Sequence, residues 1–196
     1  MPRISGNSLA DHREQVRHRL FTALSVLLAE RGFDAISLAD IAATAGVGRT
    51  AVYNHFPDKE SLLLGFIDDE TAQYTASLES ALADVDDPVA AMRTYIRRHI
   101  QLKRVYHLAP GPDLRSVLSP ATIQRLRSHA EQVEVILRRI LAQGIERGVF
   151  PEQDLGNVVS LVHACLTGRS VPGEGPDREA AIAATETFVL RAIGAR

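Results

Sequence analysis

One cysteine, Cys165, occurs in the 196 residues, so no intrachain disulfide framework is available and a reducing compartment suits the chain. No run of about 18 apolar residues exists to cross a bilayer. The opening residues, MPRISGNSLADHREQ, hold no apolar core of the signal-peptide type. These absences predict a soluble, cytoplasmic protein without a membrane partner. Charge of one sign is missing too. The formal net charge is −2. Between residues 1 and 60 the cations Arg3, Arg13, Arg17, Arg19, Arg31, Arg49 and Lys59 are matched one for one by Asp and Glu. Bulk electrostatics gives no bias toward nucleic acid, and any such binding must rest on local geometry and local patches.

The signatures of catalysis are lacking as well. No Gly-x-Ser-x-Gly elbow, phosphate loop or paired-carboxylate arrangement is present, which argues against an enzyme. His99, His107, His129 and His163 with Cys165 show none of the close His-x-x-x-His or Cys-x-x-Cys spacings of metal sites. No metal and no cofactor is expected. An enzyme built on a helical bundle around His99, His163 and Cys165 remains a distant alternative, and it leaves the most informative segment of the chain unexplained.

What is there is helical. Strand signals are nearly absent, while Val16, Leu20, Ala23, Leu24, Leu27 and Leu28 paint one face of a helix over 11–31. Gly32 stops it, and Ser37 with Asp40 three residues on resembles a capping box. A long helix is expected from Asp58 toward Asp84. Asp87-Pro88 opens another, running to about His107 before Pro110-Gly111-Pro112. A short helical segment over 113–118 follows. Ser119-Pro120 then begins the longest periodic stretch, which Gly148 and Pro151 end. Residues 154–168 form a strongly apolar helix, and a last helix runs from Asp177 to about Ile193. The reading is an all-α chain: a three-helix head and a larger helical body for ligand binding and dimerisation. Residues 1–10 are expected to be a flexible arm, 11–57 the DNA-binding head and 58–196 the body.

The segment SLADIAATAGVGRTAVYNHFPDKE, 37–60, states a job. Ile41, Ala42 and Ala45 give a short helix one apolar face, Gly46 breaks it, and a second short helix follows with Val47, Val52 and Phe56 turned back to the first. Pro57 closes the second helix. Two short helices joined by a tight Gly-containing turn form the helix-turn-helix unit, whose second helix can lie in a DNA major groove. The first residues of that helix are the ones placed toward base edges. Arg49 can bond guanine bidentately, Asn54 can do so to adenine, and Ala51 or the Thr50 methyl can touch a thymine methyl.

This segment resembles the recognition module of the TetR (tetracycline-repressor) family of one-component transcriptional regulators. The resemblance is carried by Leu20-Phe21, Ala29 to Phe33, Ser37 to Ala42, Ala45-Gly46-Val47, Tyr53, Phe56-Pro57, Lys59-Glu60 and Leu62. It covers roughly the first third of the chain. It implies phosphate contacts from Ser37, Tyr53, His55 and Lys59. Helix N-termini and a Lys charge support two of these, Ser37 and Lys59. Gly48 departs from the family, which often has Ser there. It belongs to the DNA-binding set as the start of the second helix, without a side-chain oxygen for capping or phosphate contact.

In the body, the stripe around Val89, Met92, Ile96 and Ile100 is bordered by several Arg and Lys and no acid between Asp87 and Asp113. That pattern reads either as a solvated basic face or as the border of a pocket for an anionic or polar-headed ligand. The resemblance places such a pocket among the central helices, and the candidate lining is Met92, Tyr95, Ile96, His99, Leu126 and His163. The two last helices present Leu155, Val158, Val159, Val162, Leu166, Ala181, Ala184 and Phe188 as a dimer surface. The function expected is a homodimeric, ligand-responsive transcriptional repressor, released from a palindromic double-stranded DNA operator by a small-molecule effector. The alternative is a ligand-independent DNA-binding regulator or activator.

Overall fold

The computed structural model describes residues 6–101, 116–167, 171 and 173–195. Helices α1 (Gly6–Glu30), α2 (Leu38–Ala45), α3 (Arg49–His55), α4 (Lys59–Leu82), α5 (Pro88–Gln101), α6 (Pro120–Glu146), α7 (Leu155–Thr167) and α8 (Pro176–Ala192) make up the fold, with one 3₁₀ turn at Phe33–Ala35. Among the described residues there is no strand, so the chain is all-α. Helix α1 begins at Gly6, earlier than the arm reading of 1–10 allows. No Pro or Gly interrupts 7–31, so nothing halts the helix on its N-terminal side before Gly6. Residues 1–5, the 102–115 stretch with His107, and most of the loop before α8 lie outside the described residues.

The chain forms two compact units. One comprises Met1–Asp69 and Pro110–Leu126, the other Glu70–Ala109 and Arg127–Arg196. In the first unit α1 packs on α2 and α2 on α3. The predicted face of α1 is the buried one: Val16, Leu20, Ala23, Leu24 and Leu27 join Phe21, Ile41, Val52, Leu62 and Phe66 in its interior. Burying each such side chain stabilises by about 1.5–3 kcal/mol, which exceeds what helix propensity alone supplies. Phe21 meets Phe56 at 5.7 Å and Phe66 at 5.9 Å between ring centroids, tying α1 to the end of α3 and to α4.

The second unit packs α5 against α7 and α8, and α7 against α8. Its core is mainly aliphatic, with Tyr74, Tyr95 and Phe150 as its aromatics, and Leu78, Met92, Tyr95, Ile96, Leu137, Leu141, Val159 and Ile182 are fully enclosed. Helix α6 turns sharply after Glu146, and the Phe150 ring folds back onto it. A Cβ at Gly144 would lie 2.1 Å from that ring, so only glycine fits. Helices α5 and α8 are also joined by charge. Glu186, almost wholly buried, accepts from Arg93 at 3.0 Å and pairs with Arg97 at 3.1 Å, and Arg97 reaches Glu179 at 2.6 Å.

Candidate nucleic-acid interface

Helix α2 starts as its sequence dictates. Ser37 sits at the N-cap, its Oγ accepts from the Asp40 N–H at 3.1 Å, and the Asp40 carboxylate accepts from the Ser37 N–H at 2.9 Å. The Ser37 hydroxyl donates to the same carboxylate at 2.7 Å. Hydrogen bonds from Ser37, with Arg31 nearby, hold the Asp40 carboxyl below its ordinary value. This reciprocal box satisfies two otherwise orphaned donors. It also commits the Ser37 side chain, leaving the backbone N–H groups of the first turn as that helix end's anion-binding feature.

The turn is built on Gly46, which adopts φ 62, ψ 39, the left-handed region that closes helices. Its carbonyl and that of Ala45 accept from the Arg19 guanidinium, at 2.8 Å for Gly46. A side chain at 46 would meet Arg19 at 2.9 Å as well as suffer the backbone strain. Arg19 thus places a cation at the C-terminus of α2, where the helix dipole favours it. Sequence periodicity gave no sign of this contact, because it joins positions 26 and 27 residues apart.

Helix α3 follows Gly48, whose extended backbone (φ −66, ψ 146) caps without a side-chain bond, as its lack of a Cβ requires. Val52 is the buried anchor of this short helix. On the other side Arg49, Thr50, Tyr53 and Asn54 are exposed, with Ala51 and His55 half-buried. Tyr53 is 59% exposed, so it is no core aromatic despite its size. The outward face therefore presents a guanidinium, a hydroxyl with its methyl, a phenol and an amide within two turns. That is a set of donors and acceptors suited to base edges and phosphates.

Lys59, at the first position of α4, uses its ammonium inside the protein. It donates to the Phe33 carbonyl at 2.7 Å and to that of Asp34 at 3.4 Å, and lies 4.4 Å from the Phe33 ring centroid. Burial holds its pKa below the ordinary value, with Asp34 and Glu60 opposing. An ammonium has three donors, so these contacts orient the group and leave a hydrogen for another acceptor. Asp58 caps α4 through the Ser61 N–H at 2.7 Å, a bond that lowers its own pKa. Glu60 caps a second helix: its carboxylate accepts from the Ser119 N–H at 3.1 Å, the Ser119 hydroxyl at 2.6 Å and the Thr122 hydroxyl. These bonds hold Glu60 below the usual carboxylate value.

The body candidates divide. Met92, Tyr95 and Ile96 are completely buried in the second unit, and Leu126 belongs to the first. His99 and His163 come together with Tyr95 as a stack of rings 6.0–6.3 Å apart. The Tyr95 hydroxyl and His163 Nε2 share a hydrogen bond of 2.6 Å, His163 Nδ1 lies 3.6 Å from Glu134, and the Tyr74 hydroxyl is 3.2 Å from His99 Nδ1. Burial lowers the His163 pKa, with Glu134 opposing. Tyr74 and Glu134 went unread in the sequence because each belongs to another helix. Arg93 and Arg97, two of the cations that suggested an anionic ligand, are engaged by Glu186 and Glu179. Among the described residues no group of His, Cys, Asp or Glu could hold a metal ion.

Of the dimer candidates, Val159, Val162 and Leu166 are buried within the subunit itself. Leu155, Val158 and Ala181 are half-buried, and Ala184 and Phe188 are exposed. An apolar groove of about 330 Å³ runs along α7 and α8, lined by Val158, Leu161, Val162, Cys165, Phe188 and neighbouring residues of α8.

Residues 20–65 match the family model of bacterial regulatory proteins, tetR family. A helix-turn-helix transcriptional repressor of Mycobacterium tuberculosis, Rv1474c, is 27% identical over 191 residues, which are 93% of this chain and 94% of that protein. The TetR-family regulator PfmR of Thermus thermophilus shares 28% identity and superposes with a TM-score of 0.70 over 88% of this chain and 97% of its own. FadR of Bacillus subtilis, solved in complex with stearoyl-CoA, shares the fold at 18% identity, with a TM-score of 0.68 over 90% of this chain and 96% of that one. With a boxed α2, a glycine turn and an outward polar α3 at the matched residues, the head matches the tetR family of bacterial regulatory proteins, and the proteins that the chain resembles over most of its length are transcriptional regulators.

Proposed function

We propose that this protein is a homodimeric transcriptional repressor that reads a palindromic operator through α3 and releases it when a small molecule enters the body. The observation that carries the DNA reading is the division of α3 into a buried Val52 and an outward face of Arg49, Thr50, Tyr53 and Asn54. Arg49, Thr50, Ala51 and Asn54 are the base-reading set in this proposal. Tyr53, His55, Lys59 and the first turn of α2 after Ser37 clamp phosphates. Two such heads on a twofold axis demand half-sites about one DNA turn apart, roughly 34–36 Å or a multiple.

Dimerisation is assigned to α7 and α8. Leu161 and Phe188 are 69% and 61% exposed on a lone subunit, beside a mainly apolar groove. Large apolar residues grouped on one surface favour a second copy over water. The effector reading rests on the Tyr95, His99 and His163 cluster, hydrogen-bonding groups set within an aliphatic core, which is how small-molecule sites orient ligands. An effector acts only if it prefers the conformation that fits DNA poorly. A cytoplasmic site of action goes with this reading.

The test is selection of genomic fragments by the purified protein at two salt concentrations. Enrichment of one short palindrome, lost steeply at the higher salt, is the expected result. An enriched set without twofold symmetry would remove the dimeric operator from the proposal.

A further inference from the structure

Among the described basic residues of the head, Arg17 is bonded to Asp69 at 2.9 Å, Arg31 lies 3.7 Å from Asp40, Arg19 and Lys59 donate to main-chain carbonyls, and Arg13 and Arg49 are exposed. Phosphates lie one per 1.7 Å or so along duplex DNA, so a further positive charge on α3 would add to those the head already offers. Three histidines stand in the same unit, and one of them is fixed at the end of the recognition helix.

That residue, His55, is part of a layered arrangement. Its ring lies 6.3 Å from that of Phe56, Phe56 is 5.7 Å from Phe21, and the Arg17 guanidinium sits over Phe21 at 5.1 Å. The aromatic pair thus holds a helix-α3 imidazole and a helix-α1 guanidinium on one scaffold. The charged and titratable groups acting on His55 from α1 are His12, Arg13, Glu14 and Arg17. Elsewhere in the unit, Asp69 of α4 is bonded to Arg17, and Asp40 of α2 is engaged with Ser37 and Arg31; neither is among the groups that shift His55. On α3 itself the charged group is Arg49. The surroundings of His55 are thus mainly cationic, with Glu14 the one opposing contribution. Partial burial and then Arg13 lead the causes that hold its pKa below the ordinary 6.5.

We infer that DNA binding by this protein is linked to proton uptake at His55, so that the recognition helix gains a second positive charge, beside that of Arg49, when a phosphate is present to hold it. In the free protein, neighbouring cations and partial burial keep the imidazole neutral near pH 7. A phosphate within hydrogen-bond reach reverses the balance, because an adjacent anion favours the charged form. The complex then binds more protons than its separated parts, and affinity must fall as pH rises through the interval between the two His55 pKa values. Neutral His55 withholds charge from stray anions and supplies it at the duplex. The inference rests on the reading of α3 as the DNA-facing helix and adds to it a chemical regulator, the proton.

Phosphate contacts carry no sequence information, so a short mixed-sequence duplex is a sufficient probe. Its affinity for the full chain is measured at constant ionic strength near pH 6 and near pH 8, with wild type, His55→Asn and His12→Asn. Wild-type affinity should drop by roughly tenfold across that range, the order expected for one linked proton. His55→Asn should be nearly flat with pH, whatever its absolute affinity, while His12→Asn keeps most of the slope. Imidazole NMR of the wild type, with and without duplex, gives the same answer without relying on a variant's folding: the His55 resonance should titrate at higher pH in the complex. An unchanged slope in His55→Asn, or an unmoved His55 resonance on binding, overturns the inference and leaves the DNA reading standing. Failure of wild type to bind any duplex at either pH overturns both.

Discussion

Lys59 has a structural role that is shown and a phosphate-binding role that is proposed. Its ammonium closes the Phe33–Ala35 turn by bonding two carbonyls while it sits against the Phe33 ring. Lys59→Met should cost about 1.5–3 kcal/mol of stability, the size of a charge-assisted hydrogen bond, and should weaken binding to all duplexes alike. Arg49→Ala should leave the unfolding midpoint unchanged, because Arg49 is exposed on α3, and should blur base preference at one operator position. Denaturant titration and a base-preference profile on both variants separate the two roles. A stable Lys59→Met protein would mean that its carbonyl contacts contribute nothing. His163 gives a third residue-scale expectation. Its folded pKa lies below the ordinary 6.5 chiefly through burial, so the unfolded chain takes up the proton first. Stability is therefore greatest above about pH 6.5 and declines as pH falls from there toward the folded value. His163→Gln should show a shallower decline, measured as denaturant midpoints in mildly acidic and neutral buffer. Parallel declines in the two proteins would place the acid sensitivity elsewhere.

At the scale of elements, punctuation was the legible part. The Ser37 and Asp40 spacing named the start of α2, Gly46 its end, and Pro57 the end of α3, because capping, left-handed backbone and a missing N–H are properties of single residues. The face of α1 was legible for the same reason, since a helical period is local. Glu186 with Arg93 and Arg97 was not, and neither was the Tyr95–His163 bond, which spans 68 positions. Nothing in a periodic pattern tells which helix will come to lie opposite. Gly144 is the sharpest case. In the sequence it is one glycine inside a long helical stretch, and its meaning comes from Phe150 returning onto the helix. Gly144→Ala should destabilise by about 1–3 kcal/mol through overpacking, although alanine is the better helix former. Thermal unfolding with the double variant Gly144→Ala, Phe150→Leu would locate the cause: the smaller side chain should recover part of the loss. A Gly144→Ala protein more stable than wild type would mean that the ring moves aside freely.

For the whole molecule, the last two helices are apolar as their sequence suggests, and part of that apolar surface is turned inward. Helix α7 is apolar on more than one side, and the side carrying Val159, Val162 and Leu166 is consumed by its own subunit. The surface left for another molecule centres on Leu161 and Phe188. If the proposed dimer forms through this surface, Phe188→Asp should leave a monomer in sedimentation velocity while the helical circular dichroism stays intact. A sedimentation coefficient equal to that of the wild type would move the interface elsewhere.

The double cap at Glu60 has a consequence for how such regulators can be recombined. The unit that holds the helix-turn-helix is discontinuous in the gene: it takes Met1–Asp69 and then recruits Pro110–Leu126 from beyond an intervening part of the body. A chimaera cut after position 69 would carry Glu60 without Ser119 or Thr122 to answer it. Exchange of DNA specificity between proteins of this architecture is thus a transplant of two segments, the shorter of which lies far from the helix-turn-helix in sequence.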